Sequence, residues 1–101
     1  MKPRRVRFLS RAVSDLTEIG EYLAIEAPEA KERLLGRIVD AAEGLSTFGE
    51  RGPIARDPVL RARSFRSLRV GRYVVFYKLT PTTARIYRVL HERRDWAHPL
   101  R

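Results

Sequence analysis

The stretch from Phe65 to Asp95 constrains the fold more than any other part of the chain. Val, Ile, Tyr and Phe dominate it, and these residues suit a pleated, half-buried surface. Gly71-Arg72 separates two strand-like runs, and Gly at the first central position signals a two-residue type II′ hairpin. Thr80-Pro81-Thr82-Thr83 makes the second break, because Pro81 has no N–H for a ladder. The pattern predicts a three-stranded antiparallel meander, Phe65–Val70, Tyr73–Leu79 and Thr83–His91. It ends in a charged run, His91-Glu92-Arg93-Arg94-Asp95.

The residues before it must cover this sheet. Arg5-Val6-Arg7-Phe8-Leu9 alternates basic and apolar, the mark of a short strand. Ser10 offers an N-cap. Ala12, Leu16, Ile19 and Leu23 then recur at helical spacing, with Asp15, Glu18 and Glu21 assigned to the polar face. A helix over Arg11–Glu26 follows, with Asp15 near its positive end. Ala27-Pro28 breaks it, and Pro28 suits the first position of a second helix. Leu34, Ile38, Ala41 and Leu45 carry that helix to about Thr47. Gly20 and Gly36 fall inside these helices, at a cost of ~1 kcal/mol each relative to Ala; each is either neutral or marks a close approach. Two Gly and two Pro between Gly49 and Pro58 predict a loop. The order is β-α-α-β-β-β: a single α+β domain over residues 1–101, with a helical hairpin packed on one face of a small, mainly antiparallel sheet. The other sheet face is then left to arginines and tyrosines.

Charge adds a direction. The net charge is +9, yet residues 10–50 sum to −5 while residues 51–101 sum to +10. A basic sheet half faces an anionic partner. Of 21 basic residues only Lys2, Lys31 and Lys78 are lysines, and Arg favours bidentate pairing with carboxylate or phosphate. Without Cys, neither a disulfide framework nor a thiolate metal site is possible. No signal peptide or membrane-length apolar run is present, so a cytoplasmic protein with no membrane partner is expected.

Motifs for common chemistry are missing: no phosphate-binding Gly loop, no nucleophile elbow, no H-E-x-x-H. His91 and His98 lack paired carboxylates, so neither a metal nor another cofactor is expected. His91 reads first as a capped or solvated strand-end histidine. Tyr73, Tyr77 and Tyr87 read first as sheet packing.

The combination is more specific. Asp15-Leu16, Ile19 and Tyr22-Leu23, then Val70-Gly71, Tyr73, Val75 and Phe76-Tyr77, then Arg88-Val-Leu-His-Glu-Arg-Arg-Asp95 together resemble the RelE/ParE superfamily of toxins from bacterial type II toxin–antitoxin pairs. The likeness covers residues 4–95, and the ending R-V-L-H-x-R-R-D looks most like the ParE branch. That branch is associated with inhibition of DNA gyrase by binding. The resemblance therefore implies a non-enzymatic toxin whose target contacts are Arg88, His91, Arg93, Arg94 and Asp95. It also implies a cognate antitoxin, ParD-like and ribbon-helix-helix in type, with an acidic tail that folds on binding. The alternative is a RelE-like, ribosome-dependent mRNA interferase. Such an enzyme needs a base for the 2′-OH and cations for the phosphate. This chain offers Val74 where RelE-like nucleases tend to carry Arg, so no catalytic residue is assigned.

Antitoxin contacts are expected where the helices carry more apolar residues than one sheet face needs: Tyr22, Leu23, Leu35, Val39 and Phe48. Arg66, Arg69 and Arg72 on the sheet would meet the carboxylates of the tail.

Overall fold

In the computed structural model, which describes residues 3–93, the meander forms as the sequence predicts. Its strands are β2 (Arg66–Val70), β3 (Tyr73–Leu79) and β4 (Thr83–His91). Gly71 turns the first hairpin at φ +60°, while Arg72 does not enter positive φ; this is the type II′ pattern. The first strand, β1 (Arg5–Phe8), lies parallel to β4, giving the order β1-β4-β3-β2. The β1–β4 pair is parallel, and the β2–β3 and β3–β4 pairs are antiparallel.

Helix α1 (Ser10–Glu26) begins at Ser10, not after it. Leu9 occupies the N-cap, and no side chain caps the helix. Helix α2 (Lys31–Glu43) is shorter than expected at both ends. Pro28 sits in a turn closed by the Ala30 N–H on the Ala27 carbonyl. At the other end Gly44–Ser46 tightens into a 3₁₀ turn. A Cβ at Gly20 would touch Leu35 of α2 at 3.4 Å, whereas one at Gly36 would meet nothing within 4 Å. Gly20 thus marks a close approach of the helices and Gly36 does not.

Both helices pack on one sheet face. Ala12, Ile38, Ala42 and Leu45 meet Leu68, Val75, Tyr77, Ala84, Ile86 and Val89 in the main core. The opposite face is not left to arginines. Ala55, Leu60, Phe65, Val74, Phe76 and Leu90 form a second apolar cluster there, with Tyr87 against it. The reason lies in β3: Val74-Val75-Phe76-Tyr77 is apolar without alternation, and all four are buried. Such a run belongs to a strand covered on both sides.

The second cover is a short helix, α3 (Pro58–Ala62), which starts at the last residue of the expected loop and occupies the lead-in to the meander, where no element was expected. Pro58 stands in its first turn, and Asp57 accepts the N–H groups of Val59 and Leu60 at 2.9 and 3.1 Å. At its end the Phe65 N–H reaches the Leu60 carbonyl and the Ser64 N–H reaches the Arg61 carbonyl. This is a Schellman closure, completed by apolar contact at its two ends.

Tyr77 ties the preceding loop to the sheet. Its buried hydroxyl donates to the Gly49 carbonyl at 2.6 Å and accepts the Gly52 N–H at 2.9 Å. A Cβ on Gly52 would lie 2.6 Å from that hydroxyl and 2.7 Å from the Ser67 carbonyl oxygen. Burial pushes the Tyr77 phenol above its ordinary value.

Candidate functional site

The β3–β4 register shifts at Phe76/Tyr77: Tyr77 faces Ile86 while Phe76 faces Arg88. Tyr87 is therefore the extra residue of a bulge, and the bulge changes which side chains face the helices. Ile86 and Val89 both enter the main core, although strict alternation would separate them. Beyond Ile86, β4 also loses its β1 neighbour. Helix α1 takes the place of that strand. Asp15 accepts the Val89 N–H at 2.9 Å and receives Nε and Nη2 of Arg88 at 2.8 and 2.9 Å.

This pair corrects two readings. Arg88, expected to face a target, is 6% exposed, and Asp15, expected on the polar face of α1, is 5% exposed. The hydrogen bond to Asp15 holds the guanidinium above its ordinary value, against the opposing effect of burial. The pair was legible in principle. Ala12, Asp15, Ile19 and Leu23 all share one stripe, so Asp15 stands where an apolar residue was due.

On one side of this pair a groove runs between α1 and the ends of β3 and β4. A cleft of about 360 Å³ is lined by Asp15, Glu18, Ile19, Tyr22, Tyr73 and His91 among others. An adjoining cleft of about 330 Å³ is lined by Tyr22, Leu23, Arg37, Arg72, Tyr73 and His91 among others. Tyr22, Tyr73 and His91 border both. The Tyr73 and His91 rings meet edge to face at 5.5 Å, and Nδ1 of His91 accepts the Arg93 N–H at 3.2 Å. Burial, aided by Tyr22, raises the Tyr73 phenol above its ordinary value.

The other predicted contacts are dispersed. Tyr22 and Phe48 are 59% and 70% exposed, as a docking role requires, but Leu23 is 5% exposed and belongs to the interior. Leu35 and Val39 are half-buried. Arg66 donates to the Gly52 carbonyl at 2.9 Å, Arg69 pairs with Glu92, and Arg72 is exposed in the hairpin turn. Arg93 is exposed, while Arg94 and Asp95 lie outside the described residues. Among the described residues no group of three His, Asp or Glu is placed to hold a metal. Among them, too, no helix is long and apolar enough to cross a membrane.

Comparisons with known proteins agree with this geometry. A family model described as the ParE toxin of the type II toxin–antitoxin system parDE matches residues 6–96. Toxin RelE2 of Caulobacter vibrioides is 33% identical over 83% of this chain and 90% of its own length. The toxin–antitoxin complex RelBE2 from Mycobacterium tuberculosis contains a chain 31% identical, with a TM-score of 0.67 over 88% of this chain and 98% of its own. The chromosomal ParDE system of P. aeruginosa supplies a chain with a TM-score of 0.74 over 90% of this one and 98% of its own. At 16% identity that likeness speaks for the fold alone. The chain belongs to the ParE toxin family of type II toxin–antitoxin systems, within the RelE/ParE superfamily.

Proposed function

We propose that this toxin acts by binding DNA gyrase and has no catalytic site of its own. The apolar filling of the second sheet face carries the reading. Val74 and Phe76 pack there with Leu60 and Leu90, and Arg88 turns inward to Asp15. A ribonuclease needs a base beside the cations at the scissile phosphate; among the described residues the cationic cleft at Arg63 and Lys78 is bordered by no His, Asp or Glu. Purified toxin is expected to block gyrase supercoiling and leave mRNA uncut after a pulse of expression. Normal supercoiling at excess toxin would sink the proposal. The identities of 33% and 31% with RelE2 and a RelBE2 chain favour a second reading, a ribosome-dependent mRNA interferase. Ribosomal A-site cuts in mRNA from expressing cells would select it.

The antitoxin is proposed to lie in the groove bordered by Tyr22, Tyr73 and His91. An amphipathic helix fits beside the exposed α1 side chains Tyr22 and Ile25. An acidic tail continues past Arg72 toward the outer edge of β2, where Arg66 and Arg69 stand and where residues 53–55 already pair with the start of the strand. Cytoplasmic residence follows from this pairing.

A further inference from the structure

The Arg88–Asp15 pair separates two clefts. Asp15 borders the groove described above, and Arg88 borders a second cleft of about 340 Å³ on the other side. Ser10, Arg11, Arg63, Phe65, Lys78 and Tyr87 complete most of its lining, and among the described residues no carboxylate takes part.

Three independent features there await an anion. First, the 17-residue helix α1 starts in this cleft with no side-chain cap and no acid in its first turn. Its leading amides and its dipole both favour negative charge. Second, Arg88 lines the cleft and uses the edge carrying Nε and Nη2 on Asp15, so its Nη1 is directed away from that carboxylate. That Nη1 is buried and has no hydrogen-bond partner among the described residues, and an orphaned charged donor is costly. Third, Lys78 is held by ring faces instead of a carboxylate. Its Nζ stands 4.5 Å from the Phe65 centroid and 5.2 Å from that of Tyr87. The two rings meet edge to face at 5.1 Å.

We propose that this cleft binds a phosphate monoester. The tetrahedral dianion sits at the start of α1, between Arg11, Lys78 and the inward Nη1 of Arg88. The Phe65–Tyr87 pair flanks whatever the phosphate carries. A single phosphate suits this lining because Arg, Lys and helix amides all match its oxygens. The cleft falls in the lower part of the roughly 300–1,000 Å³ range of small-ligand sites, more than an ion alone requires. This site does not depend on which cellular target the toxin has.

The test is an amide NMR titration of the ¹⁵N-labelled 101-residue chain at low salt, with inorganic phosphate and adenosine 5′-monophosphate as separate probes. Saturable shifts are expected at Ser10, Arg11 and Ala12, with the monophosphate about tenfold tighter than phosphate if its base packs on the rings. Equal affinities with the same shifts also support the site and assign free phosphate as its ligand. Arg11→Gln and Lys78→Gln each weaken binding about tenfold, in keeping with loss of one charge-assisted contact. Unchanged signals from β3 and β4 establish that each variant folds. Arg88 is left intact, since its loss would expose the pair to unfolding. Absence of saturable shifts, or shifts that persist unchanged in both variants, overturns the proposal. So does tighter binding of a Glu-rich peptide than of either phosphate probe at these amides, which would make the cleft a carboxylate site.

Discussion

Arg88 clasps both carboxylate oxygens of Asp15 from 73 positions away, at 2.8 and 2.9 Å, with both side chains at least nine-tenths buried. The pair joins α1 to β4 at the point where β1 has ended. A buried ion pair is not by itself a source of stability, because both charges have left water. Losing one partner is another matter. Asp15→Ala or Arg88→Ala is expected to cost about 3–5 kcal/mol, while the double variant Asp15→Leu with Arg88→Met stays near the parent stability. Urea unfolding midpoints measure all three. A single variant losing less than about 1 kcal/mol would mean that water reaches the remaining charge in the folded chain.

Two backbone substitutions should act in opposite directions. Ser64 holds φ +65° at the end of α3, a conformation that L side chains adopt at a cost. Ser64→Gly is expected to stabilise the chain by up to about 1 kcal/mol, since the Schellman closure stays and the Cβ strain goes. Gly52→Ala drives a methyl against the Tyr77 hydroxyl and the Ser67 carbonyl. A destabilisation of about 1–3 kcal/mol is expected, because the backbone oxygen cannot swing aside. Thermal unfolding of both proteins in one buffer decides the signs.

Alkaline stability should report on Tyr77. Burial raises its phenol above the ordinary 10.0, against smaller lowering effects from the Gly52 backbone and nearby arginines. The folded state therefore keeps its proton where the unfolded chain has lost it. The stabilisation is whole below pH 10.0 and is lost as pH rises through the higher folded value. Each such tyrosine steepens the decline by at most about 1.4 kcal/mol per pH unit. Tyr73, raised for the same main reason, adds to it. Tyr77→Phe should flatten the decline above pH 10.0 while lowering stability at neutral pH through two lost hydrogen bonds. A decline of identical slope in Tyr77→Phe would assign the effect to other groups.

The meander was legible because its turn residues are decisive: Gly71 and Pro81 admit few alternatives, and all three strands end within a residue of the predicted limits. The second sheet face was misread even though its signal was present. Four consecutive buried residues in β3 call for cover on both sides, and Asp57-Pro58 is a helix start. The bulge at Tyr87 is different in kind. It depends on pairing with β3, and no local pattern in Ile86-Tyr87-Arg88-Val89 announces it. With the bulge unseen, Arg88 could not be separated from the exposed arginines around it. Of the candidate contacts, Tyr22 and His91 do meet in one groove, although their sequence positions lie on different elements.

Charge segregation should guide the antitoxin through the arginines that stay exposed. Arg88 is buried and takes no part, and Arg66 is partly engaged with the Gly52 carbonyl. Arg69, Arg72 and Arg93 remain exposed. Arg69 pairs with Glu92 at the surface, a contact that costs little to exchange for a partner's carboxylate. Arg37 sits on α2 but lines the groove beside Arg72, so it belongs with the steering residues. Arg33, exposed on α2 and outside that groove, is the proper control. Arg→Glu at Arg69, Arg72 or Arg93 is expected to slow association with the antitoxin about tenfold at low salt, and Arg33→Glu to change it little. The difference should shrink as salt shortens the Debye length toward about 8 Å. Stopped-flow association rates at two ionic strengths provide the measurement. Equal rates for the control and the groove variants at low salt would leave the basic sheet half without a part in this encounter.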